Sequence, residues 1–236
     1  MNIIALIPAR GGSKEIPRKN VRNYAGIPLI AHSILIAKKS KYIKDVIVST
    51  DDEEIKSIAL KYGATVPFLR PSEYAQDDST DSQVMFHYLE WLKQNNKLIP
   101  QLIVHLRPTY PNREIHVLDN VIETFIESIK DYDSLRTIIP SPYSPYKTYW
   151  IRDGVLEPLF KTSSTGQKEP YNLGRQYLER AFVHNGCIDI IKTSCMIEKN
   201  SITGDKIFPY LMDETKNDDI DTIEDLKKSE RNLKIL

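Results

Sequence analysis

Residues 3–20, IIALIPARGGSKEIPRKN, constrain this chain more than any other stretch. Five apolar residues and a proline run straight into a loop that holds Gly11 and Gly12 and the cations Arg10, Lys14, Arg18 and Lys19, with Arg22 just beyond. An uninterrupted apolar run is the pattern of a strand covered on both faces, the kind found in parallel sheets flanked by helices. A glycine-bearing basic loop at the end of such a strand, with a helix to follow, offers backbone N–H groups and cations to a phosphate. The spacing is neither G-x-x-x-x-G-K-[ST] nor G-x-G-x-x-G, so the P-loop ATPase and the dinucleotide-binding dehydrogenase are both unsupported.

The remaining periodicity extends this beginning into an α/β order. Gly26 and Pro28 punctuate the start of a helix whose inward positions are Leu29, Ile30, Ser33, Ile34 and Ala37. Asp45–Ser49 reads as a second buried strand, and the polar run from Thr50 to Glu53 opens a helix with Ile55, Ile58, Ala59 and Tyr62 inward. Gly63 ends it, and Thr65–Leu69 is expected to be a third short strand. Strands separated by helices need crossover connections, so the sheet is expected to be parallel. A helix around Val84–Leu92, a strand at Leu102–Leu106, a helix from 115 to about 129 and a strand at 133–140 follow. Between them RPTYPNRE, Arg107 to Glu114, sits at a strand's carboxyl end, the edge where open α/β sheets hold ligands. Residues 141–179 lose all period, which implies an arm or lid inserted into a single 1–236 domain. Phe182–Ile191 returns as a strand with a break at Asn185–Gly186, Ile207–Leu211 is a last strand and Thr222–Leu233 a terminal helix.

Composition narrows the function by exclusion. Lys plus Arg and Asp plus Glu each number 32, so there is no overall field to capture nucleic acid or an anionic membrane, and cations act only where they cluster. With no charged leader and no apolar run near the about 18 residues of a membrane span, the expectation is a cytoplasmic protein. Two cysteines, Cys187 and Cys195, are too few for a disulfide framework, and the five histidines show no metal-ligand spacing.

The second strong feature is DDIDTIEDL from Asp218. In an extended segment Asp219 and Asp221 point to one side and can share a hard cation such as Mg2+. Acids ahead of a helix also serve as caps, and both readings stand at this point.

The loop from Ala9 to Asn20 resembles the acylneuraminate cytidylyltransferase (CMP-sialic acid synthetase) family pattern A-R-G-G-S-K-G-[IL]-P-x-K-N, departing only at Glu15, where the family has glycine. Weaker matches follow in family order over nearly the whole chain: STD at 49–51, LRP at 69–71, RPTYP, SPYKTY, GRQYLERAFVHNG, and DIDT against the family's metal-binding pair. The resemblance implies a Rossmann-like nucleotidyltransferase fold, a mostly parallel sheet with helices on both faces and an extended dimerisation arm. It also implies CMP transfer from CTP to a nonulosonic sugar acid, Mg2+ as cofactor and a homodimer. Arg10, Lys14, Lys19 and the Gly11–Ser13 backbone are then expected on the triphosphate, Asn20 on base or ribose, and Arg70 near the substrates. Asp219 and Asp221 are expected on the metal, with Arg10, Lys19 and Asp221 central to catalysis. Lys147, Arg175 and Asn185 are expected at the sugar acid. Arg107 replaces the family's glutamine and Asp189 its tyrosine at the acceptor pocket, so the nucleotide match is closer than the match to sialic acid. A nucleotidyltransferase acting on a sugar 1-phosphate and an inactive nucleotide-binding subunit are the alternatives.

Overall fold

The computed structural model describes residues 1–213 and 218–233. The chain divides into two compact units, one of Met1–Thr137, Gly186–Tyr210 and Asp218–Leu236, the other of Ile138–Asn185 with Leu211–Asn217. In chain order the elements are β1 (Ile3–Pro8), β2 (Asn23–Tyr24), β3 (Ile27–Pro28), α1 (Leu29–Lys39), β4 (Asp45–Ser49), α2 (Glu53–Lys61), α3 (Asp81–Gln94) and β5 (Leu102–His105). After them come α4 (Ile115–Ser128), β6 (Ser134–Pro140), β7 (Tyr149–Arg152), β8 (Val155–Pro158), β9 (Phe182–Lys192), α5 (Thr193–Lys199), β10 (Ile207–Leu211) and α6 (Ile223–Leu233).

The first unit is built on a mostly parallel six-stranded sheet in the order β10-β6-β9-β5-β1-β4. β1 lies at its heart, parallel to β4 on one side and to β5 on the other, with Leu6 opposite Ile47 and His105. Both parities of β1 are buried: Ile4 and Leu6 pack with Met85, Tyr88, Leu89 and Leu92 of α3, while Ala5 and Ile7 on the opposite face are fully covered. This is what an uninterrupted apolar strand requires, because successive side chains alternate between faces. β9 pairs antiparallel with β5, an exception to the parallel expectation that arises because the chain reaches β9 from the second unit rather than by a helical crossover. No helix among the described residues is long and apolar enough to cross a membrane.

The expected strand at 65–69 is a correction. The segment makes only two isolated parallel bridges, Ile47 to Thr65 and Thr50 to Leu69, because it turns away at Pro67 after one contact at each end. Ahead of α1 the chain makes a tight hairpin, with Ala25 (φ 49°) and Gly26 (φ 95°) as its two turn residues, the conformation that two-residue hairpins select. The second unit likewise contains regular structure where none was expected: β7 and β8 form a hairpin about Asp153 (φ 50°) and Gly154 (φ 79°). An Asp-Gly pair is itself a hairpin signal. Short helical turns at 145–147, 170–172 and 175–177 also lie in that unit. Both cysteines are buried and neither is in a disulfide, and burial pushes the Cys187 thiol up to about 11, which leaves it unreactive.

The hairpin before α1 carries Tyr24, fully buried, whose hydroxyl pairs with Ser229 of α6 at 2.6 Å and donates to Asn112 at 3.0 Å. Asn112 and Ser229 in turn both donate to the Asp218 carboxylate. Tyr24→Phe leaves the packing intact and removes the joint between these segments, so denaturant unfolding is expected to show a loss of about 1–2 kcal/mol.

Candidate active site

The site grows from the end of β1. Ala9 still donates to the Ser49 carbonyl at 3.0 Å, after which the loop leaves the sheet and is held by side chains. Asn20 Nδ2 donates to the Arg10 carbonyl at 2.9 Å, and the Gly11 N–H donates to Asp51 at 3.0 Å. Glycine is required at position 11 because a Cβ there would stand 2.7 Å from Asp52 Oδ2. Asp52 cannot yield: it caps α2 by accepting from the Ile55 N–H at 2.9 Å and pairs with Arg18, which also reaches Glu54. The Arg18 guanidinium accordingly holds the Asp52 carboxyl below the usual range. Gly12, by contrast, faces open space, and Glu15 has no positive φ, so the one departure from the family pattern costs the loop nothing in backbone strain.

The loop borders a cleft of about 300 Å³ whose walls include Arg10, Gly12, Ser13, Lys19, Asn20 and Arg70. Lys14 lies off it and forms an ion pair with Asp77 at 2.6 Å, and Asp77 also holds Arg10 at 3.0 Å. Arg70 behaves differently. It is 5% exposed, its Nε and Nη2 have no hydrogen-bond partner among the described residues, and its nearest carboxylate is Asp51 at 3.9 Å. A buried guanidinium with unsatisfied donors, its charge disfavoured by burial, gains most from an anion brought to it.

The aspartate pair meets the same loop. Lys19, reaching across 201 positions of sequence, donates to the Ile220 carbonyl at 3.0 Å and stands 3.6 Å from Asp221 Oδ1. The Ile220 N–H donates to the carbonyl of Thr109, a cleft residue, at 2.8 Å, and the Thr109 side chain bonds Asp219. The Ile220 side chain is fully buried with Ile16 of the loop, Tyr24, Leu29 and Leu226. In an extended segment a buried middle residue turns its two neighbours to the opposite side together. Burial pushes the Asp219 carboxyl up, and repulsion from Asp221 adds to it, against the pull of Thr109, Lys19 and Arg107. Two oxygen donors whose mutual repulsion a cation would relieve suit a hard divalent ion completed by water and phosphate, though no cluster of three His, Cys, Asp or Glu exists among the described residues.

Arg107 and Asp189, the two departures at the acceptor pocket, are each other's partners at 2.9 Å. Arg107 also donates to Asp81 at 2.7 Å and to the Gly186 carbonyl at 3.2 Å. Gly186 (φ 71°) is therefore a close approach to Arg107, whose Nη1 would lie 3.4 Å from a Cβ there. Burial pushes Asp81 up, but His105 and Arg107 outweigh it and leave that carboxyl below the usual range. Lys147, Arg175 and Asn185 belong to the second unit. There Lys147 donates to the Tyr171 carbonyl at 3.0 Å, Arg175 is exposed in a helical turn, and Asn185 is buried with Nδ2 3.4 Å from the Met212 sulfur. Asp77, Asp81 and His105 were missed by sequence reasoning. The polar run DDSTD carries no period, and His105 looks like any residue of an apolar strand.

A family model described as cytidylyltransferase matches residues 4–151. The chain belongs to the cytidylyltransferase family. Relatives include a pseudaminic acid cytidylyltransferase of Campylobacter jejuni, 30% identical over 96% of this chain and 94% of its own length. A CMP-N,N'-diacetyllegionaminic acid synthase of Legionella pneumophila is 31% identical over 100% of this chain and 97% of its own. A protein named post-translational flagellin modification protein B, of Campylobacter coli, is 31% identical over 95% of this chain and 92% of its own. Among solved structures, a CMP:2-keto-3-deoxy-manno-octonic acid synthetase complexed with CTP shares the fold at a TM-score of 0.67 and 14% identity, covering 100% of this chain and 99% of that one. The fold of this cytidylyltransferase thus outlasts sequence likeness.

Ile220 is the residue on which the convergence of loop and aspartates depends. Ile220→Ala is expected to lower stability by about 2–4 kcal/mol in denaturant unfolding while far-ultraviolet circular dichroism stays native.

Proposed function

We propose that this cytidylyltransferase moves the CMP of CTP onto the anomeric hydroxyl of a nonulosonic sugar acid. The observation that carries the reading is the contact of Lys19 with the Asp219–Asp221 segment beside the basic loop. The acceptor class follows the relatives named for pseudaminic and legionaminic acids. In the reaction the anomeric oxygen attacks the α-phosphorus, the bond between that phosphorus and the bridging oxygen breaks, pyrophosphate leaves and the hydroxyl proton passes to solvent. Nothing covalent is asked of the protein, so its task is placement and charge stabilisation.

Arg10 and Lys19 hold the triphosphate, aided by the Gly12 and Ser13 backbone, and Lys14, paired with Asp77 beside the cleft, adds positive charge at its edge. Gly11, whose N–H is engaged by Asp51, shapes the loop. Asn20 orients base or ribose with the carbonyl end of its side chain, since its Nδ2 is engaged. Arg70 meets the nucleotide with the two nitrogens that have no partner among the described residues. Asp219 and Asp221 would hold Mg2+, which when bound neutralises phosphate charge. Arg107 and Asp189 are assigned to the acceptor pocket by motif order. The enzyme acts in the cytoplasm, where CTP is made.

The homodimer is part of the same reading. In the second unit the β7–β8 hairpin leaves Trp150 53%, Ile151 78% and Leu156 63% exposed, an apolar patch of the kind that a second copy covers. Ile151→Asp is expected to shift the protein from dimer to monomer in sedimentation velocity.

Pyrophosphate release with each nucleoside triphosphate, against a panel of nonulosonic acids and sugar 1-phosphates, tests the reaction. CTP with a nonulosonic acid and Mg2+ is the expected productive pair, and turnover only with sugar phosphates would refute it. Lys19→Ala and Asp221→Ala are each expected to cut turnover by roughly a hundredfold or more with a native circular dichroism spectrum. Near-normal rates in either would count against the assignment.

A further inference from the structure

One charged group in the cleft has no part in the chemistry above. Asp81 is the first residue of α3, and its carboxylate borders the cleft with Arg107. Behind them lies His105, 1% exposed, with Nε2 3.8 Å from Asp81 Oδ1 and Nδ1 3.6 Å from Asp189 Oδ2. His105 Nε2 makes no hydrogen bond among the described residues. Two carboxylates, from α3 and β9, are therefore gathered on one imidazole of β5 and one guanidinium of the segment after it.

Arg107 is the obvious anchor for a substrate carboxylate, and its contacts argue against that role. End-on bidentate capture of a carboxylate needs a hydrogen from each terminal nitrogen, and both hydrogens of Arg107 Nη1 already go to Gly186 and Asp189 while Nη2 holds Asp81. Two carboxylates around one guanidinium also make the neighbourhood unwelcoming to a further anion. Exposure then ranks the members. Asp189 is 7% exposed at its side chain, Arg107 22% and Asp81 37%, so Asp81 is the group that the cleft presents.

Resting on the cytidylyltransferase reading above, we propose that Asp81 contacts the acceptor, accepting a hydrogen bond from a hydroxyl or amide N–H of the sugar acid. Arg107 and His105 are positioning residues that fix this carboxylate from behind. The acceptor class is accordingly a sugar acid that turns a hydrogen-bond donor, and not its carboxylate, towards Asp81. A sugar acid that lacks the donor forgoes a hydrogen bond to a carboxylate, so the contact selects among acceptors as well as holding one.

The test separates this inference from the reading beneath it. Calorimetry gives the dissociation constant for CTP, and steady-state kinetics give KM for both substrates, in the wild type and in Asp81→Asn. The expected result is an acceptor KM raised about tenfold or more with CTP affinity within about twofold. Arg107→Met is expected to raise the acceptor KM as well, and the double variant to be no worse than Asp81→Asn alone, because Arg107 acts through Asp81. An additive double variant overturns the positioning role. CTP bound normally with an unchanged acceptor KM in Asp81→Asn overturns the Asp81 contact alone. A wild type that binds no CTP overturns the cytidylyltransferase reading and the inference with it. Should Asp81→Asn fail to fold, Asp81→Ser removes the carboxylate while leaving a small polar residue at the start of α3, and an unchanged acceptor KM there overturns the contact equally.

Discussion

The contact on which the site depends is the ammonium of Lys19 against the backbone of Ile220. Lys19 is only 14% exposed, so its charge has lost most of its water and must be compensated by the Ile220 carbonyl and the Asp221 carboxylate. Ile220 is fixed from two further directions, by its N–H on Thr109 and by its side chain in the small core beneath the loop. A segment held at its middle residue has little freedom left at the residues on either side. The aspartates inherit their position from an isoleucine.

Charge in the first unit is organised by local matching. The chain is formally neutral, and the structure realises that neutrality pair by pair: Arg10 and Lys14 on Asp77, Arg18 on Asp52 and Glu54, Arg107 on Asp81 and Asp189. Most of these pairs are partly exposed and contribute little to stability, but they hold the cations in defined places before any ligand arrives. Arg70 stands apart. Buried beside the cleft, it has two nitrogens with no partner among the described residues and keeps them for a ligand.

Much of this was legible in order of sequence. The apolar run of β1, the glycines and cations after it, the helical spacing of α1, α3 and α4 and the D-x-D before α6 all report local backbone preferences, and each lies where its pattern placed it. What failed to register has more than one cause. Thr65–Leu69 has strand-like residues yet pairs only at two points, and the β7–β8 hairpin was masked by the irregular chain around it although its Asp-Gly turn was in plain view. Asp77 and Asp81 sit in a run without period, so only their neighbours in space distinguish them from solvated acids.

The sequence by itself determined that a buried strand opens into a phosphate-type loop, that helices alternate with strands around it, and that two carboxylates share a side ahead of the last helix. These follow from side-chain period, glycine freedom and capping chemistry, all of which act within a few residues. Only the tertiary structure decided that the loop and the carboxylates touch, that Arg107 and Asp189 hold each other, and that Asp81 faces the cleft. Those outcomes depend on which charges lose water together when strands far apart in sequence become neighbours, and no local pattern encodes that.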